Sequence, residues 1–203
     1  MAKERLKSPR ARLFVALDLP EPVREGIVAW QRAELTDQAL RVVPPQNLHV
    51  TLVFLGFTPE KAIPRVAEIV NAVEAGAPAI ELQREPRAKP RGRPGLFALE
   101  AASEASVALQ ADLEAKLVAE RFYKPEKRPF WPHLTVARVR KERRGSKRPA
   151  RVGRRPGPLP EALCEPFGAV RITLYRSKIR PQGAEYTSLA QVELSEAGQR
   201  LGD

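Results

Sequence analysis

Cysteine is almost absent from this chain of 203 residues, which contains Cys164 alone. A single cysteine excludes a disulfide within the chain and is typical of a protein in the reducing cytoplasm. Long apolar runs are missing as well, and no stretch approaches the length of a membrane span. Residues 1–12 are basic and 13–17 are apolar, as in a secretion signal, but the apolar run stops at Asp18 and no small-residue cleavage site follows. We therefore expect a soluble, cytoplasmic protein.

Histidine is almost as rare, and its two copies share one local pattern, HVTL at 49–52 and HLTV at 133–136. A strand points successive side chains to opposite faces, so each motif would place its histidine and threonine on one face and its aliphatic residues on the other. A lone histidine in a strand is most often a structural residue, but the repetition favours a functional pair. Two imidazoles can act as acid and base, and two hydroxyls can hold an anion. This set of groups fits phosphodiester chemistry without a metal.

A metal or nucleotide cofactor has little to bind it in this sequence. The two histidines have no neighbouring cysteine or paired acids, which leaves too few donors for a metal site. A glycine-rich phosphate loop of the Walker type is also missing. We expect no cofactor and no metal.

The charge is strongly positive, +11 from 35 lysines and arginines against 24 acids, which favours a polyanionic partner. Residues 138–155 contain ten of the basic residues and one acid, so this segment carries +9 and the rest of the chain +2. Because it contains proline and glycine, we expect it to be irregular and partly disordered. It is either a solvated loop or a contact for an RNA backbone, and its position after the second motif leaves both open.

The hydrophobic pattern predicts strands that alternate with three main helices. The predicted strands are 12–19, 40–43, 49–55, 79–83, 96–101, 133–139, 170–179 and 186–193; the predicted helices are 21–35, 59–75, 103–119 with Ser103 as cap, and a short piece at 160–163; a loop is predicted at 86–94. The order strand, helix, H-x-T strand occurs twice. The spacing from Leu13 to His49 is 36 residues and that from Leu96 to His133 is 37. This suggests a weak internal duplication, with 13–17 aligned to 96–100.

Several segments carry a resemblance to a known family. These are RLFVALDLP at 12–20, NLHVTLVFLG at 47–56, WPHLTVAR at 131–138, LYRS at 174–177 and YTSLA at 186–190. Paired H-x-T-aliphatic motifs resemble the 2H phosphoesterase superfamily, and the other segments are similar to its RNA 2′,3′-cyclic phosphodiesterase branch in bacteria and archaea, also called 2′-5′ RNA ligase. The resemblance implies an α+β fold with two pseudo-symmetric lobes of antiparallel sheet, outer helices and one H-x-T strand from each lobe facing a central cleft.

The resemblance also implies an activity, the hydrolysis of RNA 2′,3′-cyclic phosphate ends to a 2′-phosphate. It implies His49 as general acid and His133 as general base, with Thr51 and Thr135 on the phosphate; the residues by themselves do not distinguish the two histidines. The reverse reaction would join RNA ends through a 2′-5′ bond. The expected partner is RNA that ends in a 2′,3′-cyclic phosphate, bound by a monomer. A non-catalytic RNA-binding protein is the alternative.

Further residues are candidates for substrate binding. Arg138 lies three positions after Thr135, so a twist or bulge would be needed to bring it to the histidine face. The other candidates are Arg12, Tyr175 and Arg176, with Phe130 and Trp131 as stacking platforms for a base. Phe14 and Phe54 are expected in the core.

The domain organisation that we expect is a single unit with short extensions. Residues 1–11 would be a basic flexible leader, 12–194 a bilobal domain with a basic loop at 138–158, and 195–203 a C-terminal tail.

Overall fold

A computed structural model describes residues 9–90, 93–180 and 183–195. The strands are β1 (Arg10–Asp18), β2 (Leu40–Val42), β3 (His49–Pro59), β4 (Ala79–Leu82), β5 (Arg87–Lys89), β6 (Leu96–Ala102), β7 (His133–Val139), β8 (Phe167–Gly168), β9 (Arg171–Arg180) and β10 (Gly183–Glu193). The helices are α1 (Glu21–Glu34), α2 (Ile63–Asn71) and α3 (Glu104–Ala119), with 3-10 turns at Pro45–Asn47, Glu60–Ala62 and Glu161–Leu163. No helix in these three ranges is long and apolar enough to cross a membrane.

The strands form one antiparallel path in the order β10-β9-β1-β3-β7-β6-β4-β8, with β2 added to β7 and β5 to β6. The two motif strands, β3 and β7, lie next to each other in the middle of this path. Only one pair of residues is aligned between these two strands, Val50 opposite Leu134. On either side of that seam the strands separate into two lobes, and the predicted α+β fold with antiparallel sheets is confirmed.

The internal duplication is visible in the strand register, but one residue away from the predicted alignment. Each motif strand pairs antiparallel with the strand that precedes its helix, β3 with β1 and β7 with β6. In the first lobe Asp18 lies opposite His49, and in the second Glu100 lies opposite His133. The equivalent segments are therefore VALD at 15–18 and FALE at 97–100, and the proposed match of 13–17 to 96–100 was wrong by one position.

The core lies behind the sheet, on the face opposite the histidines. It combines aliphatic residues of the motif strands with the inner faces of the helices, including Val50, Leu134, Leu113 and Ile27, all fully buried. Ser103 caps α3 as predicted, because its side chain accepts a hydrogen bond from the backbone N–H of Ser106 at 3.0 Å. The helices thus hold the sheet from behind and leave its other face available for a cleft.

Several predicted boundaries differ from the structure. The helix predicted at 59–75 covers only Ile63–Asn71, and its second residue is Pro64. Proline lacks an N–H and fits only the first turn of a helix, so β3 and a 3-10 turn occupy the preceding residues. The predicted loop 86–94 contains β5, whose pattern of two exposed basic residues around Ala88 gave no apolar signal.

The ends of the domain also differ in detail. β1 begins at Arg10, so the last residues of the predicted leader 1–11 belong to the sheet. Residues 1–8 of that leader and 196–203 of the predicted tail lie outside the described residues. The rest of the expected domain organisation stays a prediction.

The basic segment 138–155 is irregular after β7, as expected, and several hydrogen bonds connect it to itself and to Asp37, while its partial disorder stays a prediction. Lys141 pairs with Pro149 in an isolated bridge, and the N–H of Glu142 donates to Arg148 O at 3.0 Å. Farther along, the carboxylate of Asp37 accepts the backbone N–H groups of Gly153 and Arg154 at 2.7 and 2.8 Å. These contacts fix both the hairpin-like turn and the chain that follows it.

Candidate active site

The two motifs present their polar residues to one cleft. His49 and Thr51 are half-buried, whereas Val50 and Leu52 between and beside them are buried in the core. The second motif repeats this alternation in β7. Continuing the register from the Val50–Leu134 pair by one residue in each direction sets each histidine opposite the threonine of the other strand. Two imidazoles and two hydroxyls thus share one surface.

Both imidazoles are oriented by the same backbone contact. His49 Nδ1 lies 2.8 Å from Asn47 O, and His133 Nδ1 lies 2.7 Å from Trp131 O, in each case the carbonyl two residues earlier. Because a carbonyl oxygen only accepts, each Nδ1 carries the proton, and in the neutral ring Nε2 keeps its lone pair. The hydroxyl of Thr51 donates to His49 Nε2 at 3.1 Å. The fold therefore leaves Nε2 as the unprotonated nitrogen of each neutral ring.

The pKa of each histidine is lowered in the folded protein. Burial lowers the pKa of His49 from 6.5 to about 4, and the nearby charges of His133 and Arg138 act in the same direction, against the Asn47 carbonyl. Burial also lowers the pKa of His133, helped by Lys89 and Arg138 and opposed by the Trp131 carbonyl. At neutral pH we therefore expect both rings to be uncharged in the free protein.

Aromatic rings account for much of this burial. The Phe14 ring stacks on His49 with centroids 4.9 Å apart, and the Trp131 ring stacks on His133 with centroids 4.3 Å apart and planes 11° apart. The Lys89 ammonium lies 4.3 Å from the Trp131 ring centre, on a cation–π contact. Each imidazole is thus covered by an aromatic ring that excludes water from one side.

A β-bulge follows each motif and changes which side chains reach the cleft. Opposite β1, the register skips one residue between Thr51 and Val53; opposite β6, it skips one between Thr135 and Ala137. The extra residue shifts the alternation, so the side chain five positions after each histidine returns to the histidine face. This residue is Phe54 in one lobe and Arg138 in the other, and both line the cleft.

The cleft has a volume of about 770 Å³ and a basic lining. Four arginines face it, and they are opposed by one acid, Glu185; the arginines are Arg12, Arg41, Arg138 and Arg180. The Arg12 guanidinium covers the ring of Phe54 at 4.7 Å from its centre. Tyr186 and Asn47 also line the cleft. Arg41 and Arg180 were not predicted from the sequence. Arg41 lies in the three-residue strand β2 and Arg180 is the last residue of β9, and neither position has a local pattern that indicates a cleft.

The candidate residues divide into three groups by position. Arg12 and Arg138 line the cleft with the two motifs. Trp131 and Tyr175 lie behind it: Trp131 covers His133, and the Tyr175 hydroxyl donates to Asp18 at 2.8 Å. Phe130 packs against the core, and Arg176 forms an ion pair with Glu60 at 2.8 Å. The structure does not bring these last two to the histidines.

The expectation for the two phenylalanines of the first lobe needs correction. Phe54 was expected in the core, but 40% of it is exposed and it lines the cleft, because the bulge turns it outward. Phe14 is buried as expected, yet its ring contacts His49 rather than aliphatic side chains alone. Across residues 9–90, 93–180 and 183–195, no three histidine, cysteine or acidic side chains come together as a metal site would require.

The family model described as the 2′-5′ RNA ligase superfamily matches residues 19–171, which include both motifs. The chain belongs to this superfamily. Within the 2′-5′ RNA ligase superfamily, it is 30% identical over 90% of its length to a Thermus thermophilus protein, of which 90% is covered. It is also 29% identical over 89% of its length to a protein of Methanothermobacter thermautotrophicus, of which 97% is covered. Both relatives are named RNA 2′,3′-cyclic phosphodiesterase.

This protein is also similar in fold to a solved structure from Thermus thermophilus. The two superpose with a TM-score of 0.73 at 28% identity, over 92% of this chain and 99% of the other. The described arrangement of two lobes around the motif strands is therefore the fold of a known structure. The recognition of the family from the twin motifs is confirmed.

Proposed function

We propose that this protein hydrolyses the 2′,3′-cyclic phosphate at the end of an RNA to a 2′-phosphate, using two histidines and no metal. The observation that carries the proposal is the pair of imidazoles whose Nδ1 atoms are tied to backbone carbonyls, which leaves both Nε2 atoms for proton transfer in one basic cleft. The names of the curated relatives supply the substrate class.

In this reaction a water oxygen attacks phosphorus in line with the 3′ oxygen, and the bond from phosphorus to that oxygen breaks. The base takes a proton from the water, and the acid gives its proton to the departing 3′ oxygen. Family resemblance assigns His49 as acid and His133 as base. Each positioned proton transfer contributes about 10²–10⁴-fold, so the pair supplies roughly 5–11 kcal/mol of barrier lowering.

The acid must carry a proton on Nε2, although burial keeps both rings neutral in the free protein. A bound phosphodiester brings a negative charge beside the imidazoles, and a nearby anion raises the pKa of a histidine. Substrate binding would thus draw one proton onto the pair. Thr51, Thr135 and Arg138 would then donate to the non-bridging oxygens, on which negative charge grows in the transition state.

The same two groups would serve 2′-5′ ligation, in which the 5′-hydroxyl of a second RNA attacks phosphorus in place of water, the protonated 3′ oxygen leaves, and a 2′-5′ bond forms. Water is present in molar excess, so hydrolysis is the expected main reaction. The cytoplasmic location and the monomeric state remain predictions from the sequence.

The test uses a short RNA that ends in 2′,3′-cyclic phosphate, incubated with the protein in the presence of a chelator. We expect the wild type to open the ring to a 2′-phosphate, and His49→Ala and His133→Ala to lose at least 100-fold, about one proton-transfer contribution. Val107→Ala, on the exposed surface of α3, is the control variant and should keep the wild-type activity. Binding without ring opening by the wild type would establish the non-catalytic alternative. Ring opening by either histidine variant at a rate within tenfold of the wild type would refute the assigned roles.

A further inference from the structure

A second depression adjoins the cleft and has no part in the chemistry proposed above. It has a volume of about 380 Å³ and runs over the ends of β1, β3 and β9. Arg12, Ser177, Ile179 and Arg180 line both depressions, so the two form one continuous surface. We call this second depression the outer groove, defined by Arg10, Ala11, Arg12, Phe57, Glu60, Arg176, Ser177, Lys178, Ile179 and Arg180.

The outer groove combines positive charge with exposed apolar side chains. Its lining has five basic residues and one acid, Glu60, which is engaged by Arg176 at 2.8 Å. Phe57 is 62% exposed and Ile179 is 74% exposed, although both are large hydrophobic residues. Contiguous apolar surface rimmed by polar residues marks an interaction site, and these two side chains line the same depression. Basic residues interleaved with an aromatic ring are the pattern by which proteins hold a single-stranded nucleic acid.

The strand register explains how the groove is connected to the site. Arg12 in β1 lies opposite Phe57 of β3 on one side and opposite Ser177 of β9 on the other. Its guanidinium covers Phe54 in the cleft and lies 3.4 Å from the Ser177 hydroxyl. Arg12 therefore forms the shared wall, with the histidines on one side and Phe57 on the other. A chain that leaves the cleft past Arg12 enters the outer groove.

We infer that the outer groove binds the single-stranded RNA next to the cyclic-phosphate end, with Phe57 stacking on a base and Lys178 and Arg10 near the phosphates. This inference rests on the proposed function and extends it, because it assigns a binding surface to the part of the RNA strand that precedes the reacting end. The sparse acids and the apolar ring fit the alternation of phosphate and base along an RNA strand. A cyclic mononucleotide would occupy only the cleft and would not reach the outer groove.

The test compares kcat/KM for two substrates, a 2′,3′-cyclic mononucleotide and an octamer that ends in 2′,3′-cyclic phosphate. Phe57→Ala should lower kcat/KM for the octamer by about tenfold through KM, since loss of one base–aromatic stack has this order of effect. Its value for the mononucleotide should not change, which also shows that the variant is folded. Val107→Ala, another exposed apolar residue, is the matched control and should affect neither substrate.

Lys178→Ala tests the charge separately. One lost phosphate contact should reduce the slope of log K against log salt by about 0.7 for the octamer. Lys116→Ala on α3 removes the same charge from a residue that lines neither depression and should leave that slope unchanged. Octamer binding is measured by fluorescence anisotropy, which does not depend on turnover.

The outcomes separate the two proposals. If the wild type opens the mononucleotide ring but kcat/KM for the octamer is the same in the wild type and in Phe57→Ala, the role of the outer groove is refuted and the proposed function stands. If the wild type opens neither substrate while Phe57→Ala still weakens octamer binding, the proposed function is refuted and RNA binding by the outer groove is supported. If neither variant changes octamer binding, the groove is refuted regardless of activity.

Discussion

Protonation of His49 should destabilise the folded protein, because its ring is held neutral by burial. Phe14 stacks on one side of the imidazole, and the Nδ1 proton is held by the Asn47 carbonyl. The pKa of about 4 in the folded chain contrasts with the ordinary value of 6.5 that the unfolded chain would restore. Between these two values the unfolded state binds more protons than the folded state. The free energy of unfolding must therefore decrease as pH falls from 6.5 towards 4.

The size of this effect follows from the two pKa values. At pH 5 the unfolded histidine is almost fully protonated and the folded one almost fully neutral, which costs at most about 2 kcal/mol of stability. Below pH 4 the loss levels off at about 3 kcal/mol. Above pH 7 this residue contributes no pH dependence. His133 acts in the same direction because its pKa is also lowered.

The assay is urea unfolding of the wild type and His49→Asn at pH 7.5 and pH 5. Asparagine does not titrate, yet its side-chain amide can replace the Nδ1 donor to the Asn47 carbonyl. We expect the wild type to lose about 2 kcal/mol relative to the variant between the two pH values. A direct NMR titration is simple here, because only two imidazoles are present. An equal pH response of both proteins, or a His49 pKa near 6.5, would refute the reasoning.

Three further perturbations test other parts of the structure. Leu134→Ala removes the fully buried side chain at the seam between the lobes and should lower the free energy of unfolding by about 2–5 kcal/mol in a urea titration; a loss below 1 kcal/mol would contradict the packing seen there. Asp18→Asn replaces one of the two oxygens that accept the hydroxyls of Thr173 and Tyr175 by an NH2 group and removes the negative charge paired with Arg171, so we expect about 3 kcal/mol lower stability. An absorbance titration should also show a lower pKa for Tyr175, which burial and Asp18 now raise. Arg138→Ala removes a positive charge that lowers the pKa of both histidines, so both NMR titrations should move to higher pH, whereas Arg138→Lys should preserve them.

The local elements were predictable because they depend on patterns within a few residues. Alternation in the two H-x-T segments predicted both motif strands and their buried faces, and β7 occupies the predicted range. Ser103 predicted the start of α3. The bounds of α2 were less accessible, since apolar residues continue on both sides of the helix while Pro64 restricts where it can begin. The three-residue strand β5 has no apolar period at all.

The outward position of Phe54 could not be read from the pattern, because a bulge leaves no mark in a sequence of apolar residues. Regular alternation would bury Phe54 and direct Arg138 away from His133. The extra residue between Thr51 and Val53 opposite β1 and the one between Thr135 and Ala137 opposite β6 reverse both directions. A bulge is decided by pairing with another strand, so only the partner strand reveals it.

The sequence by itself determined the chemistry available to this protein, since its two histidines, their threonines and the strand alternation that exposes them are all local properties. Only the tertiary structure decided how that chemistry is tuned and where a substrate can lie. The lowered pKa of His49 comes first from burial, to which the Phe14 ring on β1 contributes, and then from the charges of His133 and Arg138 on β7. The outer groove joins three strands that are far apart in the chain. Burial and charge act through space, so residues distant in sequence set them together.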